Sequence, residues 1–193
     1  MLKKESTYRD VHHELIKQCK KGKQKAQMQI YKLYYRAMFN TSLRIVNSAA
    51  DAEDVMQDSF LDAFQKVDQY SEEGSFGGWL KRIVINNSLD FLNKKKSQIQ
   101  LNDNLEVVED TKDIDIDIDD EIKIQDLKKA LEKIKDEYRI IISLYLFEGY
   151  DHEEISDILS ISYNLSRTRY SRAKKKLLQE IQSIQKERSS IWA

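Results

Sequence analysis

Gly149-Tyr150-Asp151-His152-Glu153-Glu154-Ile155-Ser156-Asp157-Ile158-Leu159-Ser160-Ile161-Ser162-Tyr163-Asn164-Leu165-Ser166-Arg167-Thr168-Arg169-Tyr170 reads as a short helix, a tight turn and the start of a long helix. Gly149 supplies a left-handed stop for the helix before it. Asp151 with Glu154 has the spacing of a capping box, in which a carboxylate accepts from the third helical amide and the later acid reaches back. Ile155, Ile158 and Leu159 give the short helix one apolar face. Ser160-Ile161-Ser162 makes the turn, and a final helix begins near Tyr163. The outline is a helix-turn-helix.

In the final helix each residue rotates by about 100°, so Arg167, Thr168, Ser171, Arg172 and Lys175 share one face. Tyr170, Ala173 and Leu177 lie opposite, giving one face to pack and one to meet a partner. Cationic side chains neutralise phosphates, and an arginine presented to the major groove can bond a guanine with two N–H groups. The bland alternative is a solvated basic surface. The short helix and turn ahead of it favour the DNA reading.

Upstream, Leu127, Leu131 and Ile134 predict one helix and Ile140, Ile141, Leu144, Tyr145 and Phe147 another. The amino-terminal half repeats the same spacing: Ile30, Leu33, Tyr34 and Ala37 form one stripe, and Val55, Met56, Phe60, Ala63, Phe64 and Val67 a second. Tyr70 to Gly78 holds three of the five glycines and is expected to be a loop. A helical stripe resumes with Trp79, Leu80, Ile83, Val84 and Leu89, and the segment closes on Lys94-Lys95-Lys96. The chain has no proline, 34% charged and 40% hydrophobic residues, a balance suited to exposed helical surface. The expected fold class is all-α, with two small helical domains joined by an acidic, flexible linker.

That linker is legible from charge. The net charge of −1 hides a strong segregation, since Asp103 to Glu121 holds ten carboxylates against Lys112 alone, whereas Arg167 to Lys176 holds six cations and no acid. Within it, Asp113-Ile114-Asp115-Ile116-Asp117-Ile118-Asp119-Asp120 alternates like a strand, but stacked aspartates repel and no partner strand is available. A calcium loop is set aside because the glycine and terminal glutamate of such a ligand set are missing.

Several function classes drop out. A lone Cys19 excludes a disulfide framework or a cysteine-rich zinc site, and the pair His12-His13 is read as surface, so no metal site is expected. No nucleophile with a base and no phosphate loop is present, so neither an enzyme nor a cofactor is expected. The opening Met1-Leu2-Lys3-Lys4-Glu5 leads into no signal-like apolar run, and no stretch approaches the roughly eighteen apolar residues that span a bilayer. A cytoplasmic protein is expected.

Two further motifs carry a family resemblance. Asp51-Ala52-Glu53-Asp54-Val55-Met56-Gln57-Asp58-Ser59-Phe60-Leu61-Asp62-Ala63-Phe64 is similar to the polymerase-binding helix of region 2 in the sigma-70 family. Phe76-Gly77-Gly78-Trp79-Leu80-Lys81-Arg82-Ile83-Val84-Ile85-Asn86-Asn87-Ser88-Leu89-Asp90 resembles the promoter-melting segment that adjoins it. Phe147 to Leu177 looks like region 4 of the same family, nearest to its extracytoplasmic-function group. The three motifs stand in the family's order, and the likeness covers about three-quarters of the chain.

The resemblance implies region 2 at residues 12–98, the linker at 99–122 and region 4 at 123–186. It implies a transcription initiation factor whose partners are core RNA polymerase and promoter DNA, with an anti-sigma factor, membrane-bound in many relatives, as a further partner. Val55, Met56, Phe60, Ala63 and Phe64 belong in the core by their spacing, leaving Asp54, Gln57, Asp58 and Asp62 as an acidic-polar patch. The resemblance assigns Asp54, Gln57 and Asp58 to the coiled-coil clamp helices of the largest polymerase subunit. It assigns the −10 element to Trp79, Lys81, Arg82, Asn86 and Asn87, with Tyr70 to Phe76 holding a flipped base; for Trp79 a core position is the competing reading. It assigns the −35 element to Arg167, Thr168, Ser171 and Arg172, with Lys175 on the same face. Lys94 to Lys96 are expected on duplex phosphate, and the acidic linker in an electropositive channel near the RNA path.

The sequence departs from the family at Ile134-Lys135, where proline is usual, at Ser160 in place of glycine, and at Ser166 in place of an apolar residue. Two other readings compete: a stand-alone helix-turn-helix regulator, and a helical protein-binding adaptor for which the basic helix has no role.

Overall fold

Residues 12–99 and 123–191 are described in the computed structural model, and among them are eight α-helices and no strand. They fall into two compact units, one on each side of the undescribed stretch. The acidic run Asp103 to Glu121 and the opening Met1 to Glu5 lie outside the described residues.

The first unit holds α1 (His13–Lys20), α2 (Gln24–Val46), α3 (Ala49–Gln65), a 3-10 turn (Val67–Gln69) and α4 (Phe76–Ile99). Asn47 ends α2 in the left-handed region, φ 58°, and Ser48 starts α3 by accepting from the Asp51 amide. A side-chain cap of this kind stabilises a helix by about 1 kcal/mol. Ile16, Ile30, Met38, Met56, Phe60, Val67, Phe76, Leu80 and Val84 bury together in the core. Each such side chain contributes roughly 1.5–3 kcal/mol through the apolar surface it withdraws from water. Ser88 Oγ, buried, bonds Ser42 Oγ at 3.1 Å and ties α4 to α2.

Two expectations change here. Leu33 and Ala37 are exposed, so the buried stripe of α2 runs through Ala26, Ile30, Met38, Ile45 and Val46 instead. A stripe set by spacing alone has some freedom of phase, and the neighbours on α3 and α4 select it. Phe76, Gly77 and Gly78 are helical, not loop. Ser75 initiates α4, its Oγ accepting from the Gly78 amide and its carbonyl from the Trp79 amide. A Cβ on Gly77 would stand 2.9 Å from Tyr34 Cε1, so this glycine serves close helix packing rather than a turn.

The second unit holds α5 (Ile124–Lys133), α6 (Asp136–Ile142) running into a π-helical turn (Ser143–Phe147), α7 (His152–Leu159) and α8 (Tyr163–Ile191). The long α8 packs against α5, α6 and α7. Leu131, Ile134, Ile141, Leu144, Ile155, Ala173, Leu177 and Ile181 are buried. Lys135, with φ −56° and ψ 146°, has the backbone that a proline ring would impose, so the break between α5 and α6 forms without one. Ser160 stands in the left-handed region at φ 52°, where glycine is the easier residue, and still closes α7.

The π turn revises the predicted apolar face of α6. Glu148 donates its amide to the Ser143 carbonyl, five residues back, and Gly149 at φ 79° completes the reversal. The extra residue in the turn swings Tyr145, Leu146 and Phe147 outward, each between 36% and 41% exposed, while Leu144 stays buried.

Candidate nucleic-acid interface

The capping box at the start of α7 is complete: Asp151 Oδ1 accepts from the Glu154 amide at 2.8 Å, and Glu154 Oε2 accepts from the Asp151 amide at 2.9 Å. Ser162 then caps α8 by accepting from the Leu165 amide. Between these caps the left-handed backbone of Ser160 turns the chain, and Ile155 and Ala173 are buried in the unit's core. On α8, Arg167 and Lys175 are exposed and Thr168, Ser171 and Arg172 half-buried, while Ala173 and Leu177 on the other side are buried. The structure therefore brings all five predicted residues onto one accessible face. Thr168 donates its hydroxyl to the Asn164 carbonyl at 2.9 Å, which leaves its oxygen as an acceptor.

Asn164 was not singled out by sequence. It is exposed and lies three and four positions before Arg167 and Thr168, so it falls in the middle of that same face. An asparagine there can pair with an adenine edge. Counting backwards from the arginines at helical spacing would have found it.

Ser166, in place of an apolar residue, is buried, and its Oγ lies 3.0 Å from His152 Nδ1. The imidazole stacks on Tyr145 at 4.8 Å, and Tyr145 in turn meets Tyr170 at 4.3 Å. A polar pair within an aromatic cluster thus does the joining that an apolar contact would do. Burial first, and the adjacent Tyr145 second, push the Tyr170 phenol above its ordinary pKa, so the ring packs as a neutral group. At the far end of α8, Arg188 Nη1 meets both oxygens of the buried Asp126 carboxylate at 3.1 and 3.0 Å, binding α8 to α5.

In the first unit, Asp54, Gln57 and Asp58 are exposed on one face of α3, with Gln57 donating to Glu53 at 3.3 Å. Leu61 lies among them and is 60% exposed. Asp62, placed in the same patch by sequence, is half-buried and accepts from Asn87 Nδ2 at 3.1 Å.

On α4 the five predicted residues divide. Trp79, Arg82 and Asn86, at i, i+3 and i+7, share one face, with Trp79 packed in part against the core, and exposed Asn93 extends the row. Asn87 turns inward, donating to Ser59 Oγ and Asp62 Oδ2, so its amide holds α4 to α3. Lys81 is half-buried on a different side. Trp79 is half-buried, its ring 5.4 Å from Phe76 and 5.7 Å from Tyr70. Tyr70 and Phe76, the ends of the predicted base-holding stretch, are buried, so only Ser71, Glu72, Glu73, Gly74 and Ser75 offer surface there. Lys95 bonds Asp51 at 2.8 Å, while Lys94 and Lys96 are exposed.

Comparison with known proteins places these features in context. The family described as Sigma-70 region 2 matches residues 30–98, and that described as Sigma-70, region 4 matches residues 124–177. The ECF RNA polymerase sigma factor SigW of Bacillus subtilis is 27% identical over 179 residues, covering 88% of this chain and 96% of its own. The RNA polymerase sigma factor SigV of the same organism is 30% identical over 143 residues, covering 74% and 80%. Among solved structures, the sigma factor RpoE of Bartonella quintana, in complex with the anti-sigma factor NepR, superposes with a TM-score of 0.58 at 23% identity, covering 80% of this chain and 96% of that one.

Proposed function

This chain belongs to the sigma-70 family of RNA polymerase sigma factors, in its extracytoplasmic-function group, and from that premise we propose how its two helical units divide the work. It is a transcription initiation factor that directs RNA polymerase to promoters, acting by binding and not by catalysing a reaction. In our reading residues 12–98 grip core polymerase and engage the −10 element, and residues 123–186 hold the −35 element.

The grip is assigned to Asp54, Gln57 and Asp58, with Leu61 as an apolar centre against the clamp helices of the largest subunit. Desolvating a leucine inside a polar ring favours a partner helix with basic side chains around an apolar one. The −10 contact is assigned to Trp79, Arg82 and Asn86, together with loop 71–75. Disrupting a base step costs on the order of a few kcal/mol, which an aromatic edge, a cation and an amide along one helix face can offset. Lys81, half-buried on another side of α4, and Asn87, bonded to Ser59 and Asp62, are left outside this contact in the proposal. Unit two reads duplex through Asn164, Arg167, Thr168, Ser171, Arg172 and Lys175. An anti-sigma factor is a further partner in this proposal, as NepR is for Bartonella RpoE. The site of action is the cytoplasm, where polymerase works; among the described residues no helix is long and apolar enough to cross a membrane.

The observation that carries this assignment is the pairing, within one chain, of a helix-turn-helix whose cationic face points away from its core with a separate acidic face centred on exposed Leu61. Run-off transcription with purified core polymerase and a promoter library tests it. Sequence-dependent initiation that needs both a −35 and a −10 element is expected. Tight duplex binding without polymerase, and no initiation with it, would instead identify a stand-alone regulator.

A further inference from the structure

Loop 71–75 contains the one non-glycine residue of the first unit, apart from the Asn47 helix stop, that has a positive φ among the described residues: Glu72, at 63°. L side chains occupy that region only where surrounding contacts hold them. The contacts come from α1. Lys20 Nζ donates to Glu72 Oε1 at 3.0 Å and to the Tyr70 carbonyl at 3.2 Å, and it lies 5.7 Å from the Tyr70 ring. His13 Nδ1 stands 3.4 Å from the other Glu72 oxygen. The Tyr70 hydroxyl crosses the loop to donate to the Gly74 carbonyl, and Ser75 is fixed as the cap of α4. Ser71, Glu73, Gly74 and Ser75 remain exposed.

We infer that α1 is a latch on this loop, with Lys20 and His13 as positioning residues that act through Glu72 to hold the exposed loop residues ready for the promoter. The inference rests on the assignment of loop 71–75 and α4 to the −10 element. Lys20 and His13 keep about a quarter of their side-chain surface, 26% and 27%, so their contacts are only partly screened by water. α1 is held to the core independently, through buried Ile16 and Cys19. Removing Lys20 therefore loosens the hold on Glu72 without undocking the helix. The latch also lies ahead of residue 30, where the region 2 match begins, so it is a feature that the matched segment does not contain. A loop fixed before binding loses less freedom when it meets a partner, and a fixed loop discriminates better than one that adapts to each base.

The test is run-off transcription with the full chain and core polymerase on promoters changed one base at a time in the −10 element, with a −35-substituted promoter as control. The variants are Lys20→Ala, Lys20→Arg, Glu72→Gln and a loop-surface pair, Ser71→Ala with Glu73→Ala. Lys20→Ala and Glu72→Gln are expected to reduce discrimination among −10 bases about fivefold, the loss of one partly screened ionic hydrogen bond. Lys20→Arg, which keeps the positive charge and N–H donors, is expected to retain most of it, and −35 dependence stays as in the parent. If the loop-surface pair alters −10 discrimination and Lys20→Ala does not, the latch is overturned while the loop assignment stands. If neither has an effect, the loop assignment fails and takes the latch with it. Equal losses at −10 and −35, with a lowered melting temperature, would show Lys20 to be holding the fold, and would also overturn the latch.

Discussion

Removing the Arg188 guanidinium should destabilise the second unit while sparing the face proposed to meet DNA. Asp126 is 4% exposed at its side chain and Arg188 is 42% exposed. Breaking a fully buried ion pair costs about 3–5 kcal/mol and an exposed one about 0–1. With one buried and one half-exposed partner, Arg188→Ala should cost about 2 kcal/mol, because it strands a carboxylate that water reaches poorly. In a unit of this size about 1 kcal/mol moves the melting temperature by roughly 4–8 °C, so a fall of roughly 10 °C is expected. Asp126→Asn leaves Arg188 free to turn to solvent and should cost about 1 kcal/mol, including the acid lost from the first turn of α5. The double variant should then be no worse than Asp126→Asn, since no stranded charge remains. Circular dichroism melts of the full chain, with amide exchange in α5 and α8 to assign the transition, would measure this cycle. Duplex binding at 20 °C should be unchanged, because residues 163–176 are anchored by Ile155 and Ala173. The reasoning is refuted if Arg188→Ala melts within about 2 °C of the parent, or if the double variant melts as low as Arg188→Ala alone.

Four other outcomes can be checked. Arg167→Ala and Arg172→Ala should each reduce −35-dependent initiation about 10- to 100-fold, the worth of a base or close phosphate contact, with −10 preference unaltered; footprinting on −35 variants reads this out. Asp58→Lys should weaken capture of core polymerase at least about tenfold in a pull-down or gradient assay, without changing the melting curve, since Asp58 is exposed. Gly77→Ala places a methyl group 2.9 Å from the Tyr34 ring; overpacking of about 1–3 kcal/mol outweighs the gain of about 1 kcal/mol in helix propensity, so urea unfolding should show a net loss, whereas Gly74→Ala, with open space around it, should show little change. The Lys95 ammonium, hydrogen-bonded at 2.8 Å, holds the Asp51 carboxyl below its ordinary pKa against the opposing effect of burial. That contribution is full above the unfolded value of about 4 and fades as pH falls through the lower folded value. The stability gap between the parent and Asp51→Asn, at most about 1 kcal/mol since Lys95 is half exposed, should therefore be constant above about pH 5 and shrink below about pH 4.

The sequence by itself determined most of the helices, the capping box of α7 and the order of the motifs, because these depend on neighbours three or four residues away. Asp151 and Glu154 form their box, Gly149 takes its left-handed turn, and the face from Arg167 to Lys175 emerges accessible, all from local geometry. Even the departures at Lys135 and Ser160 are local matters, since both backbones adopt the needed angles without the usual residue. What only the tertiary structure decided is every property that depends on what lies across from a residue. Leu33 faces water and Met38 the core because α3 and α4 choose the phase of α2, and position 77 of α4 takes glycine because the Tyr34 ring fills the space of a side chain. Asn87 turns inward because Asp62 awaits it 25 positions away, Asp126 finds Arg188 across 62, and Lys20 reaches Glu72 across 52. A side chain's chemistry is written in its letter, but whether that chemistry serves the core, the loop or the partner depends on distances through space, which separation along the chain does not encode.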